Sequence, residues 1–300
     1  MLKKFVIMAI ACSLIHAGQL RAELVIGVTS ARNLISFDTA TPGTIISSTA
    51  ITGLQDAFEA VNSIDFRPGT GIIYALGNAP GSIYRLYTLN ATTGVATKVG
   101  ADITGLITGS FQGLDFNPVV DLLRITTDSD QNFRFNPNTG AMVAQDANLA
   151  YAAGDSGAGQ NPNIVGSAYI NNVPSSAATT LFNIDSNRDV LTTQIPPNNG
   201  TLNTVGALGV DFQNFTGFDV SGATGTAFAS TTNPGAPTLS NLYTINLATG
   251  AASLVGQIGS NLVLNDIAIV SAVPEPSSLA LLSIGSVAWL KFRRRRTNNA

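Results

Sequence analysis

The chain has 300 residues, 45% hydrophobic and 11% charged, with 15 basic and 18 acidic side chains and a net charge of −3 at pH 7. Its one cysteine (Cys12) and one histidine (His16) lie near the N-terminus, and its one tryptophan (Trp289) near the C-terminus. Between Glu23 and Val273 seven basic residues face 17 acidic ones, so the body carries −10 and lacks Cys, His and Trp. Disulfides, His/Cys zinc sites, Ser-His-Asp triads and cysteine nucleophiles are therefore excluded from the body. Its acidity argues against nucleic acid and anionic membrane surfaces as partners.

At the N-terminus, Lys3 and Lys4 precede the apolar run Phe5–Ile15. A short positive segment followed by an apolar core of this length is the profile of a secretory signal peptide, too short to span a bilayer. Cleavage is expected after Ala22, making residues 1–22 the leader. Ala9-Ile10-Ala11-Cys12 faintly resembles a lipoprotein box, but it would leave too short an apolar core, so Cys12 is read as part of the leader.

The next 250 residues show no capped helical period. Short β-branched runs alternate with Gly, Pro, Asn and Asp, and they repeat. Leu34–Asp38, Leu86–Asn90, Asn132–Asn136 and Leu242–Asn246 are strands ending in Asn or Asp. The last three continue into turns closed by Gly94, Gly140 and Gly250. The Asx side chain bonds the backbone two residues on and the glycine supplies a left-handed exit, which is hairpin chemistry. A second repeated strand precedes each hairpin: Ser63–Pro68, Gly113–Pro118, Gly166–Tyr169, Gly217–Val220 and Asp266–Ile269.

Each unit is thus about four short antiparallel strands in roughly 50 residues, the pattern of a propeller blade. Four units begin near Val61, Gln112, Ile164 and Phe215. A fifth combines Leu264–Val270 with N-terminal strands at Leu24–Val28, Leu34–Asp38 and Thr44–Ser48. The predicted fold is all-β: a β-propeller of about five four-stranded blades, closed by N- and C-terminal strands sharing one blade, with short apolar helices at both termini. A six-bladed ring or open solenoid is the alternative, and the irregular stretch Gln145–Pro162 is where the count would fail. The propeller domain is placed at residues 23–272.

Asp65, Asp115 and Asp219 hold one position of the repeated inner strand, where Ala168 and Ala268 stand in the other two units. A ring of channel carboxylates could bind a cation or serve as acid and base for glycan cleavage. A repeated Asp is more often structural, accepting N–H groups between blades. Asp128, Asp130, Asp185, Asn187 and Asp189 offer alternating oxygens for calcium. An EF-hand loop would need Gly and Glu where Val190 and Pro196 stand, and Asx-turns account for both segments. Tyr84, Tyr87, Tyr151, Tyr169 and Tyr243 are the tyrosines available as a sugar platform, and three of them fall within or beside repeated strands, which suggests packing. No phosphate-binding glycine loop occurs. No catalytic residue and no cofactor is assigned, calcium being the one candidate.

After the body come Pro274-Glu275-Pro276, the apolar stretch Ser277–Leu290 and the cluster Arg293, Arg294, Arg295 and Arg296. The prolines force an extended segment open to a processing enzyme, and the arginines would hold the tail's end in the cytoplasm. The order of these three parts, over residues 273–296 before the tail end 297–300, resembles the PEP-CTERM sorting signal of Gram-negative and cyanobacterial exopolysaccharide producers. That resemblance implies secretion machinery and an exosortase-type enzyme as partners, and transient anchoring in the inner membrane. The segments Ser63–Pro68 and Asn198–Gly209 resemble the bacterial family called domain of unknown function 4394, which implies a propeller-like repeat and brings no catalytic residues.

Taken together, these features predict an exported, non-enzymatic surface or matrix propeller presenting loops to exopolysaccharide or a surface protein. A carboxylate-dependent glycan hydrolase or lyase and a calcium-stabilised adhesin are the alternatives.

Overall fold

The computed structural model describes residues 22–270; the expected signal peptide, apolar terminal helices and sorting tail lie outside the described residues. The first three strands are β1 (Leu24–Thr29), β2 (Asn33–Asp38) and β3 (Ile45–Ala50). Blade one follows with β4 (Ala60–Phe66), β5 (Ile73–Ala79), β6 (Ile83–Leu89) and β7 (Ala96–Thr104). Blade two holds β8 (Gln112–Asn117), β9 (Leu122–Thr127), β10 (Asn132–Phe135) and β11 (Met142–Gln145). The irregular connector then contributes β12 (Ala150–Tyr151), which adds in parallel to the outer edge of blade three. That blade is β13 (Ile164–Tyr169), β14 (Leu181–Asp185), β15 (Val190–Gln194) and β16 (Thr201–Ala207). Blade four is β17 (Thr216–Val220), β18 (Ala227–Asn233), β19 (Ala236–Ile245) and β20 (Ala252–Gln257). Finally β21 (Leu264–Ile269) pairs with β1, giving the sheet order β21-β1-β2-β3 and completing blade five.

The blade count is five, and the connector Gln145–Pro162 inserts no sixth. The inner strands β4, β8, β13, β17 and β21 pack side by side in a ring that closes between β21 and β4. Burial falls from axis to rim. Strands β13 and β17 are buried at every residue, whereas β3 and β11 have none buried. Among the described residues no helix is long and apolar enough to cross a membrane.

The hairpin chemistry also joins the blades. Asn90 Oδ1 accepts the N–H groups of Thr92 and Thr93, and Asn136 and Asn246 do the same in their own turns. The closing glycines Gly94, Gly140 and Gly250 have φ of 68°, 68° and 83°. Each also lies against the outer strand of the preceding blade. A Cβ on Gly94 would stand 2.5 Å from the Ala50 carbonyl oxygen, and one on Gly140 2.5 Å from that of Val99. A Cβ on Gly250 would overlap the carbonyl oxygen of Gly206. Glycine is required there twice over, for the backbone angle and for the approach.

Buried apolar clusters fill four of the five junctions between blades: five with one, one with two, three with four, and four with five. The junction of blades two and three is polar instead. Buried Arg124 donates to the Tyr169 hydroxyl (2.7 Å), to Asn198 (2.7 Å), to Asp146 (3.1 Å) and to Asn132. The Thr126 and Ser167 hydroxyls meet across the same seam at 2.6 Å.

The two faces of the ring differ. Each inner strand starts at one face, where the turns between a blade's second and third strands also gather. The Asn-to-Gly hairpins gather at the other. Strand β1 begins and β21 ends on this second face, where the Val270 N–H donates to the Leu24 carbonyl (2.9 Å).

Candidate functional site

Three of the repeated inner-strand carboxylates do meet. Oxygens of Asp65, Asp115 and Asp219 lie within 4.8 Å of one another, and each residue is no more than 2% exposed. Two of them clasp neighbouring blades. Asp65 accepts the Phe66 N–H with one oxygen (2.6 Å) and the Phe116 N–H of blade two with the other (2.9 Å). Asp219 repeats the pattern with Val220 (2.6 Å) and with Ile269 of blade five (2.5 Å). Asp115 faces the corresponding Tyr169 N–H of blade three, yet neither of its oxygens completes a hydrogen bond. Blade five carries Ala268 at this position, and its clasp comes from Asp266 two residues earlier. Asp266 accepts the N–H groups of Ile267 (2.8 Å) and of Ile64 in blade one (2.9 Å). At the junction of blades three and four Ala168 supplies no carboxylate, and the apolar cluster around Val165, Phe182 and Phe218 fills the space.

Burial dominates the electrostatics of this layer. Loss of water pushes the Asp65 carboxyl well above the usual range, aided by the charge of Asp219. Asp115 is raised by burial and then by Asp65 and Asp219. Burial likewise raises Asp266, and takes Asp219 up to about 7 against the lowering effect of its backbone donors.

Closer to the face where the inner strands begin, a small funnel opens on the axis. It draws on all five inner strands and their approaches: Asn62, Ser110, Phe111, Gln112, Val165, Asn214, Phe215, Thr216 and Asn265. None of these is ionisable. The Asn62 amide donates to Gln112 Oε1 (2.8 Å), and Asn265 keeps a buried oxygen without a partner. Phe111 and Phe215 stack edge to face, with ring centroids 5.3 Å apart, and Phe215 is exposed. Asn62, Gln112 and Thr216 each stand three positions before the carboxylate on their strands, so the funnel lies above the aspartate layer.

The other sequence-derived candidates lie at the turns between the second and third strands of blades two and three, on the funnel face. Asp128 accepts the Ser110 N–H (3.0 Å), Asp185 that of Asn163 (3.1 Å) and Asp189 that of Phe212 (2.8 Å). The Asn187 N–H donates to Asp185 Oδ1 (2.9 Å), closing an Asx-turn. Asp130, with φ of 65°, keeps one buried oxygen unpaired. These five are not among the groups brought together for a metal; among the described residues only the axial trio is. The five tyrosines weighed as a sugar platform are all buried.

A separate polar cluster lies within blade one. Arg85 donates to Glu59 (2.9 Å) and to Asp102 (3.0 Å), the Tyr87 hydroxyl donates to Glu59 (2.9 Å), and Lys98 pairs with Asp102. The hydrogen bonds from Arg85 and Lys98 hold the Asp102 carboxyl down at about 2. Burial and the bond to Glu59 push the Tyr87 phenol up to about 12, although the N–H of Gln55 bonds the same oxygen.

Asp266, Phe111, Phe215 and Arg124 are the participants that sequence reasoning passed over. Asp266 opens a recognised repeat strand, but aligning that strand on Ala268 placed the carboxylate two residues out of register. Phe111 and Phe215 share one repeat position, four residues before Asp115 and Asp219, a recurrence that the sequence reading left unused.

No curated protein matches the chain in sequence. Among solved structures, a protein from Lactobacillus plantarum is similar at 14% identity, with 83% of this chain and 72% of that one covered and a TM-score of 0.41. A proposed 6-phosphogluconolactonase from Bacteroides uniformis is similar at 12% identity, covering 80% and 83%, with a TM-score of 0.38. Myxococcus xanthus glutaminyl cyclase is similar at 10% identity, covering 83% and 94%, with a TM-score of 0.41. The PEP-CTERM protein-sorting motif matches residues 272–296, marking an exported protein with a membrane-anchored intermediate and exosortase-type processing. The family model for the domain of unknown function DUF4394 matches residues 33–268, and the chain belongs to that family.

Proposed function

We propose that the protein is a non-enzymatic, carbohydrate-holding propeller of the surface or matrix of a Gram-negative or cyanobacterial cell, with its ligand seated in the axial funnel. On this reading residues 23–272 are the working body, left after loss of leader and tail. The observation that carries the proposal is the funnel's chemistry: amides of Asn62, Gln112, Asn214 and Asn265 beside the Phe111–Phe215 pair, with no ionisable side chain. Carboxamides both donate to and accept from hydroxyl groups. Phenyl faces supply apolar contact for the C–H face of a sugar ring. A neutral saccharide asks for both and for no charge. The exopolysaccharide setting of the sorting signal agrees with this ligand class.

The aspartate layer supports the non-enzymatic part of the reading. Glycoside hydrolysis needs two carboxylates flanking the bond in an open cleft, about 5–5.5 or 6.5–9.5 Å apart. Asp65 and Asp219 are buried and commit both oxygens to backbone N–H groups.

Calorimetric titration with neutral hexasaccharides of glucose, galactose or mannose tests the proposal. Binding by the wild-type chain is expected to weaken about tenfold or more in the Phe111→Ala/Phe215→Ala double variant, because two apolar contacts are lost. Absence of binding to any of them overturns the proposal, and so does release of shorter sugars on incubation.

A further inference from the structure

We propose that Asp65, Asp115 and Asp219 form an axial binding site for one hard divalent cation, calcium, beneath the funnel floor. Three observations carry this independently of the saccharide reading. First, the span fits: the three carboxylate oxygens lie within 4.8 Å of one another. Calcium bonds of 2.3–2.6 Å place oxygens on opposite sides of the ion about 4.6–5.2 Å apart, so one ion can reach all three.

Second, Asp115 is 1% exposed and neither of its oxygens has a hydrogen-bond partner. Asp65 and Asp219 spend their oxygens on backbone clasps, whereas Asp115 stops short of the equivalent bond and brings a free oxygen into the group. A buried polar group normally has a partner, and an unpaired one calls for a ligand to explain it.

Third, the charge is uncompensated within the protein. None of the ion pairs among the described residues includes Asp65, Asp115 or Asp219. Buried carboxylates without a basic partner are costly, and a metal ion is one way to meet that cost. An all-oxygen donor set in a body without His or Cys selects a hard cation over zinc or copper.

The test uses the full chain stripped with EDTA and titrated with calcium chloride alone, with magnesium chloride in parallel. One calcium per chain is expected, with a rise in Tm of roughly 5–10 °C at a hundredfold excess over Kd. Asp115→Asn and Asp219→Asn are each expected to weaken calcium binding at least tenfold, while Asp128→Asn and Asp185→Asn at the turns of blades two and three leave it unchanged. Should Asp115→Asn fail to fold, Asp219→Asn and the wild-type stoichiometry decide. No calcium binding, magnesium binding of equal strength, unchanged affinity in the axial variants, or loss of binding in the turn variants would each overturn the assignment.

Discussion

Asp102 and Glu59 share one guanidinium, that of Arg85, and the pair shows how little charge this body leaves to chance. Asp102 sits partly open on the outer strand, held by Arg85 and Lys98, and its carboxyl titrates at about 2 in place of 3.8. A depressed folded-state value means the carboxylate stabilises the fold above the unfolded value and loses that contribution as pH falls through the folded one. The stability difference between wild type and Asp102→Asn is therefore expected to be present from about pH 4 upward and to vanish towards pH 2. Urea unfolding of both proteins across that range measures it, and a difference that grows on acidification contradicts the sign. The contribution is modest, because an exposed pair is screened by solvent. Arg124 is the contrasting case. It is 2% exposed, and its removal takes the donor from the buried Tyr169 hydroxyl and the buried Asn132 side chain at the seam between blades two and three, while Arg134 still holds Asp146. Arg124→Ala should cost about 2–4 kcal/mol in urea unfolding, for two buried groups left without their donor. Arg134→Ala, which removes a partly open partner of the same Asp146, should cost about 1 kcal/mol or less.

At the scale of strands and turns, the repeated hairpin performs two tasks with one glycine. Gly250 combines φ of 83° with contact against Gly206 of the preceding blade, whereas Gly81 has the same φ and open space around it. Gly81→Ala should cost about 1 kcal/mol for the backbone angle alone. Gly250→Ala should cost that and a further 1–3 kcal/mol or so for overlap with the neighbouring backbone. Chemical unfolding of the two variants separates the terms, and equal costs would mean that the blade contact contributes nothing. The hairpin itself was legible because Asn-to-Gly turn chemistry is local and recurs along the chain. Its second task was not, because the carbonyl each glycine approaches lies in another blade, some 40 residues away or more in the sequence. The inner-strand aspartates divide similarly. Their recurrence was visible, and their convergence is found in the structure. Asp266 stayed hidden because its strand reaches the next blade from two residues earlier, and a periodic alignment has no means of registering that offset. Phe111 and Phe215 recur at one repeat position, yet their meeting follows from blades two and four facing each other across the axis, which no local pattern records.

For the whole molecule, the split fifth blade was readable from strands left over at each end of the repeat, and ring closure explains why they were there. An open four-blade sheet stack would leave β4 and β17 with unpartnered flanks; β21 and β1 fill the gap and cover both. The same closure fixes where the chain enters and leaves. Leu24 and Ile269 sit side by side at the face opposite the funnel, and the chain runs on from there towards the sorting motif at 272–296. The funnel and the last described residue thus occupy opposite faces of the ring. Loss of the residues from 272 onward would therefore remove none of the strands that build the wall and none of the side chains that line the funnel.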